Sequence, residues 1–114
     1  MSVYKFTIDQ GATWKLVSIW KDSTGNIVDI TNYTAKIQFR RSAQDTLVLY
    51  ELSTANGRIV LDGPNGKLTA TASKEDTAAF KFVNAVFDVL LTSPAGEATR
   101  LFSGAITVDP AITR

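Results

Sequence analysis

A chain of 114 residues is the common size of one domain, and its composition, 45% apolar and 20% charged, is that of a folded globule rather than a disordered segment. Twelve Lys and Arg against eleven Asp and Glu leave a net charge of +1, with Arg40-Arg41 the only adjacent basic pair, so neither a nucleic acid nor another polyanion is expected as partner. With no Cys and no His, disulfides and thiolate metal sites are excluded, together with the commonest general base and metal ligand.

The chain reads as a single domain over residues 1–114, with no linker, repeat or low-complexity run. Residues 1–6 contain no apolar run of the length a signal peptide needs. No stretch approaches the roughly 20 apolar residues that span a bilayer, so no membrane partner is expected.

Period-2 patterning dominates from the start. Residues 3–8 form a short amphipathic strand at the N-terminus. Trp14, Leu16, Ser18 and Trp20 share one face of the next, with Lys15, Val17, Ile19 and Lys21 on the other. Ser23-Thr24-Gly25-Asn26 then supplies a turn. Ala35, Ile37 and Phe39 alternate with Lys36, Gln38 and Arg40, the mark of a strand buried on one side. Further strands are expected over 47–53, 58–61, 67–72, 85–92 and 99–108. The intervening turn signals are Asn56-Gly57, Asp62-Gly63-Pro64-Asn65-Gly66 and Ser93-Pro94-Ala95-Gly96. Asn65-Gly66 is the best candidate for a tight hairpin turn. One segment breaks the pattern: residues 73–80 begin with an N-cap serine and carry Glu75 and Asp76 in the first turn, which predicts a single helical turn crossing between two sheets. Short strands at this spacing predict an all-β, two-sheet sandwich of seven or eight strands.

Catalytic chemistry finds no anchor in this pattern, and no enzyme activity, cofactor, metal or small-molecule substrate is expected. Most carboxylates fall in turns or at strand ends, where Asp caps backbone groups. Glu51 and Asp88 lie inside strands. Asp88 is either a buried acid paired with Arg40 or Arg100, or a solvated residue of the outer face; the second reading is favoured. The loop from Asp22 to Asn26 lacks the spaced ligands and closing Glu of a calcium-binding loop. Gly63-Pro64-Asn65-Gly66 matches neither a phosphate loop nor a nucleophile elbow.

The aromatic residues point first to a core. Trp14, Trp20, Phe39 and Phe87 share faces with other apolar residues. Trp14 and Trp20 lie about 20 Å apart along a strand, too far to grip one sugar ring together. Phe80 and Phe82, flanking Lys81, read as a core lid, with exposed contacts as the alternative. The interaction candidates are Val3, Tyr4 and Phe6 in the first strand, Phe80 and Phe82 near the crossover, and Ile112 and Arg114 in a tail that leaves the sheet at Pro110. Edge pairing by residues 3–8 would make deletion of that segment abolish assembly while leaving most of the fold.

Three stretches carry a resemblance. Gln10-Gly11-Ala12-Thr13-Trp14 opens a strand that ends in Trp20-Lys21-Asp22. Asp29-Ile30-Thr31-Asn32-Tyr33-Thr34-Ala35-Lys36-Ile37-Gln38 enters another, and Arg100 to Pro110 closes the chain. This layout resembles small phage structural proteins and, more loosely, the N-terminal domain of phage upper-baseplate proteins. The resemblance implies an immunoglobulin-like sandwich and a non-enzymatic role in a tail, baseplate or neck. The implied partners are other virion structural proteins and further copies of this chain, assembled in the host cytoplasm. It brings no catalytic residues. A host-surface carbohydrate-binding module or a capsid decoration protein is the alternative.

Overall fold

The computed structural model describes residues 3–111, Val3 through its backbone alone. In chain order they form β1 (Val3–Asp9), β2 (Trp14–Ile19), β3 (Thr34–Phe39), β4 (Tyr50–Ser53), β5 (Ile59–Asp62), β6 (Lys67–Ala72), α1 (Lys74–Ala78), β7 (Asn84–Thr92) and β8 (Ala98–Asp109). Two sheets result, one ordered β1-β8-β7-β3-β4 and the other β2-β6-β5. The last-named order, and the run β8-β7-β3-β4 opposite it, is the strand arrangement of an immunoglobulin-like sandwich. β1 joins it by pairing parallel to β8, while the remaining strand pairs are antiparallel.

The alternation read from the sequence places the core. Ala35, Ile37 and Phe39 of β3 and Ala85, Phe87, Val89 and Leu91 of β7 point inward and are buried, and Leu68, Ala70 and Ala72 of β6 meet them from the opposite sheet. In place of a disulfide the centre is aromatic. The Phe39 ring lies 5.6 Å from Phe87, 5.9 Å from Trp14 and 5.7 Å from Tyr50, mostly at the steep or tilted angles that aromatic quadrupoles favour. Trp14 comes from the three-stranded sheet and Phe39 and Phe87 from the other, so these contacts tie the two layers together.

The crossover forms as expected but is shorter, spanning Lys74–Ala78. The Ser73 side chain accepts the Asp76 amide at 3.1 Å, capping its first turn. Thr77 on its inner side is fully buried. Its hydroxyl donates to the Ala12 carbonyl at 2.9 Å and accepts the Gly11 amide at 3.1 Å, locking the β1–β2 turn to the helix. Next to it the Gln10 amide nitrogen donates to the Phe80 carbonyl at 3.2 Å, and its oxygen accepts the Ala111 amide at 3.0 Å. One glutamine thus holds the helix exit and the chain beyond Pro110.

Two expectations are corrected. The strand expected over 47–53 begins only at Tyr50, because β3 ends at Phe39 opposite it and leaves residues 47–48 without a strand to pair with. Leu47 is accordingly 60% exposed. The β5–β6 hairpin closes through the four residues Gly63-Pro64-Asn65-Gly66 between the paired Asp62 and Lys67, so Asn65-Gly66 ends a longer loop instead of forming a two-residue turn. Gly66 sits at φ 58°, the left-handed conformation that makes glycine the favoured residue there.

Candidate functional site

β1 is the terminal strand of the five-stranded sheet. Its register runs from Val3 opposite Ser103 to Asp9 opposite Asp109, and among the described residues no strand pairs with its other side. Edge strands are usually blunted by proline, a bulge or inward charge. β1 has neither proline nor a register shift, and Lys5 is the one basic residue along it. Phe6 and Ile8 turn into the sandwich, Ile8 with no exposed surface. Tyr4 follows the same alternation but sits at the open end of the layer, 51% exposed, its ring edge-on to Phe102 at 5.3 Å and tilted against Phe6 at 6.5 Å.

Of the interaction candidates, the structure therefore brings Tyr4 and Phe6 together. It separates them from Phe80 and Phe82, which stack on each other at 4.8 Å and reach Phe39 from the helix side. Phe80 and Phe82 are 7% and 8% exposed, which corrects their reading as exposed contacts and agrees with a core lid. The physical reason is the short helix: it returns the chain over the end of the sandwich, and the rings close the gap above Phe39. The Val3 side chain, Ile112 and Arg114 lie outside the described residues.

A surface not singled out in the sequence is the outer face of the three-stranded sheet. Val17 lies opposite Thr69, and Thr69 opposite Val60, forming a row across all three strands. Val17, Val60 and the neighbouring Ile19 are 51%, 65% and 48% exposed. The signal was present in β2, where two β-branched apolar residues occupy the face opposite Trp14, between Lys15 and Lys21.

Trp14 and Trp20 do not form a sugar platform. The Trp14 ring packs edge-on to Phe6 at 6.1 Å and to Phe39, while Trp20 packs against Tyr33 at 6.4 Å.

The carboxylates take structural duties. Asp22 accepts the Thr24 hydroxyl at 2.6 Å and the Thr24 and Asn26 amides, and these bonds, the hydroxyl first, hold its carboxyl below the ordinary range. Asp29 is lowered in the same way by the hydroxyl and amide of Thr31. Both stay ionised near neutral pH and so cap turns rather than donate protons. Asp88 is on the outer face, ion-paired to Arg100 at 3.0 Å with both side chains substantially exposed, which is the solvated alternative. Arg40 instead donates to Gln38 at 2.8 Å, and Gln38 to Glu51 at 2.8 Å. Asp76 joins the helix to the sheet. It accepts the Tyr50 hydroxyl at 2.6 Å and pairs with Arg58 at 3.2 Å, while the Arg58 guanidinium lies over the Tyr50 ring at 4.9 Å. Burial, and then the bond to Asp76, push the Tyr50 hydroxyl well above its ordinary pKa.

Among the described residues no group of three or more acidic side chains could hold a metal ion, and no helix is long and apolar enough to cross a membrane. No protein-family model matches the chain, and a search of curated proteins finds no match to it.

Proposed function

We propose that this protein is a non-enzymatic assembly module that docks through the free edge of β1, and that it serves as a structural component of a phage virion, in the tail, baseplate or neck. The observation that carries the docking is β1 itself: a regular seven-residue edge strand, unpaired on one side among the described residues, with a half-exposed tyrosine at its open end. Such a strand adds a neighbour's strand through main-chain hydrogen bonds, while the side chain beside it selects the partner. The exposed row Val17–Thr69–Val60 supplies a second apolar contact, on the other sheet, for a neighbour in a symmetric array. The virion setting is supported by the layout of residues 10–22, 29–38 and 100–110, and its partners are other virion proteins and copies of this chain.

The test is light scattering across a concentration series, on the wild type and on Tyr4→Glu. A discrete oligomer that the variant loses, while it stays folded with a thermal transition lowered only modestly by the lost ring contacts, is the expected result. A strict monomer at all concentrations would remove pairing between copies. Antibody labelling of particles from the source culture tests the virion setting, and label absent from every particle would overturn it.

A further inference from the structure

Two shallow depressions meet at Arg41. One, of about 300 Å³, lies between residues 47–49 and the chain leaving the helix, and Leu47, Phe80 and Phe82 give it an apolar lining. The other, of about 440 Å³, lies on the outer face of the five-stranded sheet over Val86, Ala105 and Thr107, and Lys5 lines it. Arg41 belongs to both, and Lys81 stands at the first. No Asp or Glu lines either depression, in a chain that has eleven. The two ion pairs among the described residues, Arg58–Asp76 and Arg100–Asp88, involve none of the three cations. The groove therefore combines an apolar lining with a basic rim that no Asp or Glu among the described residues neutralises, although the net charge of the whole chain is only +1.

We infer that this groove docks an extended acidic segment of a partner protein. A bulky apolar side chain of that segment sits over Phe80 and Phe82 beside Leu47. Carboxylates on either side of it meet Arg41 and Lys81, and one further along reaches toward Lys5. A nucleic acid would satisfy the cations but leave the apolar lining uncovered, so a peptide is the better fit. This docking does not use the free edge of β1, and it can hold or fail independently of edge pairing. Exposed charge pairs are individually weak and screened by salt, so binding is salt-sensitive and rests on several contacts acting together.

The experiment is fluorescence anisotropy with a labelled peptide of alternating Glu and Leu around one Phe, against a control in which every Glu is Lys. The acidic peptide should bind at about 50 mM salt and weaken at least about fivefold at about 300 mM, as screening shortens the Debye length. Arg41→Ala and Lys81→Ala should each cost roughly two- to fivefold, and Arg41→Glu with Lys81→Glu at least about tenfold. Leu47→Ser should weaken binding, whereas Val60→Ser on the opposite sheet should not. No binding of the acidic peptide, equal binding of the basic control, or full affinity in the doubly reversed variant with an unchanged thermal transition would each overturn the inference. An oligothymidylate that binds more tightly than the peptide would overturn it in favour of a polyanion site.

Discussion

Gly104 lies in the middle of β8, where glycine ordinarily weakens a strand, and its neighbours explain it. It faces Phe87 across β7–β8 and Tyr4 across β1–β8. A Cβ at this position would lie 2.5 and 2.6 Å from Phe87 Cε1 and Cζ and 3.1 Å from Phe6 Cε2. Carbon atoms prefer separations of about 3.5–4.0 Å, so the phenyl ring would have to retreat by about 1 Å. It has little room: the Phe87 ring is held between Phe39 at 5.6 Å, Phe6 at 5.7 Å and Trp14 at 6.4 Å. In an open strand, Gly→Ala would gain about 0.5–1 kcal/mol of backbone entropy. Overpacking a filled core costs about 1–3 kcal/mol, and here it outweighs that gain. Gly104→Ala is therefore expected to destabilise the domain by about 1–2 kcal/mol, lowering Tm by roughly 3–6 °C per kcal/mol for a chain of this length. Urea unfolding followed by tryptophan fluorescence measures this well, since Trp14 touches the same ring cluster. In a Phe87→Leu background the ring is gone and the same substitution should become neutral or stabilising. If Gly104→Ala stabilises the wild type, or costs the same in both backgrounds, the close approach of Phe87 is not why this position is glycine.

Three further outcomes are expected. Thr77→Val leaves the Gly11 amide and the Ala12 carbonyl without their buried partner and should cost about 1–3 kcal/mol in urea unfolding, with no change in oligomeric state. The Tyr50 hydroxyl has a folded-state pKa above its unfolded value of 10.0, so its contribution is complete below that pH and is lost as pH rises beyond it. Wild-type stability should fall more steeply than that of Tyr50→Phe in unfolding series above about pH 10, and parallel curves would refute the assignment. Asp29 is lowered from 3.8, so its stabilisation is present above that value and is lost as pH falls through the folded-state pKa; Asp29→Asn should flatten the acid limb of the stability profile.

What could be read from the sequence follows from where burial is one-sided. β3, β6 and β7 each bury every second residue, so their period identified both the strands and the inward face. The Ser73 cap and the Glu75-Asp76 turn located the crossover for the same local reason. Features that depend on partners distant in the chain were not readable. Leu47, Val48 and Leu49 look like strand residues, yet β3 ends too early to pair with the first two. Leu101 and Phe102 are adjacent yet both pack on the core, because a register shift near Asp88 and Leu90 brings both to the inner side. Asp76 read as a helix-start acid, and its bonds to Tyr50 and Arg58 come from residues 26 and 18 positions away. The apolar row on the three-stranded sheet emerges only when β2, β6 and β5 are laid side by side.

β1 shows why an interaction residue and a core residue must be separated before assembly is tested. Deleting residues 3–8 was expected to spare most of the fold. In the structure, however, Ile8 is fully buried, Phe6 packs against Trp14 and Phe87, and β8 would lose its parallel neighbour. Loss of assembly after that deletion would say nothing about docking. Single substitutions at the buried and the open end of the strand can separate the roles. Ile8→Ala removes core volume and should cost about 2–5 kcal/mol while leaving the free backbone edge in place. Tyr4→Glu removes a half-exposed ring from its contacts with Phe102 and Phe6 and should cost about 0.5–1.5 kcal/mol, less than Ile8→Ala. If β1 is the docking strand, Ile8→Ala measured well below its melting temperature should associate as the wild type does, and Tyr4→Glu should not. The opposite pattern, association tracking stability rather than the Tyr4 side chain, would mean that β1 is a wall of the core and that the neighbour docks elsewhere, with the apolar face of the three-stranded sheet the next surface to alter.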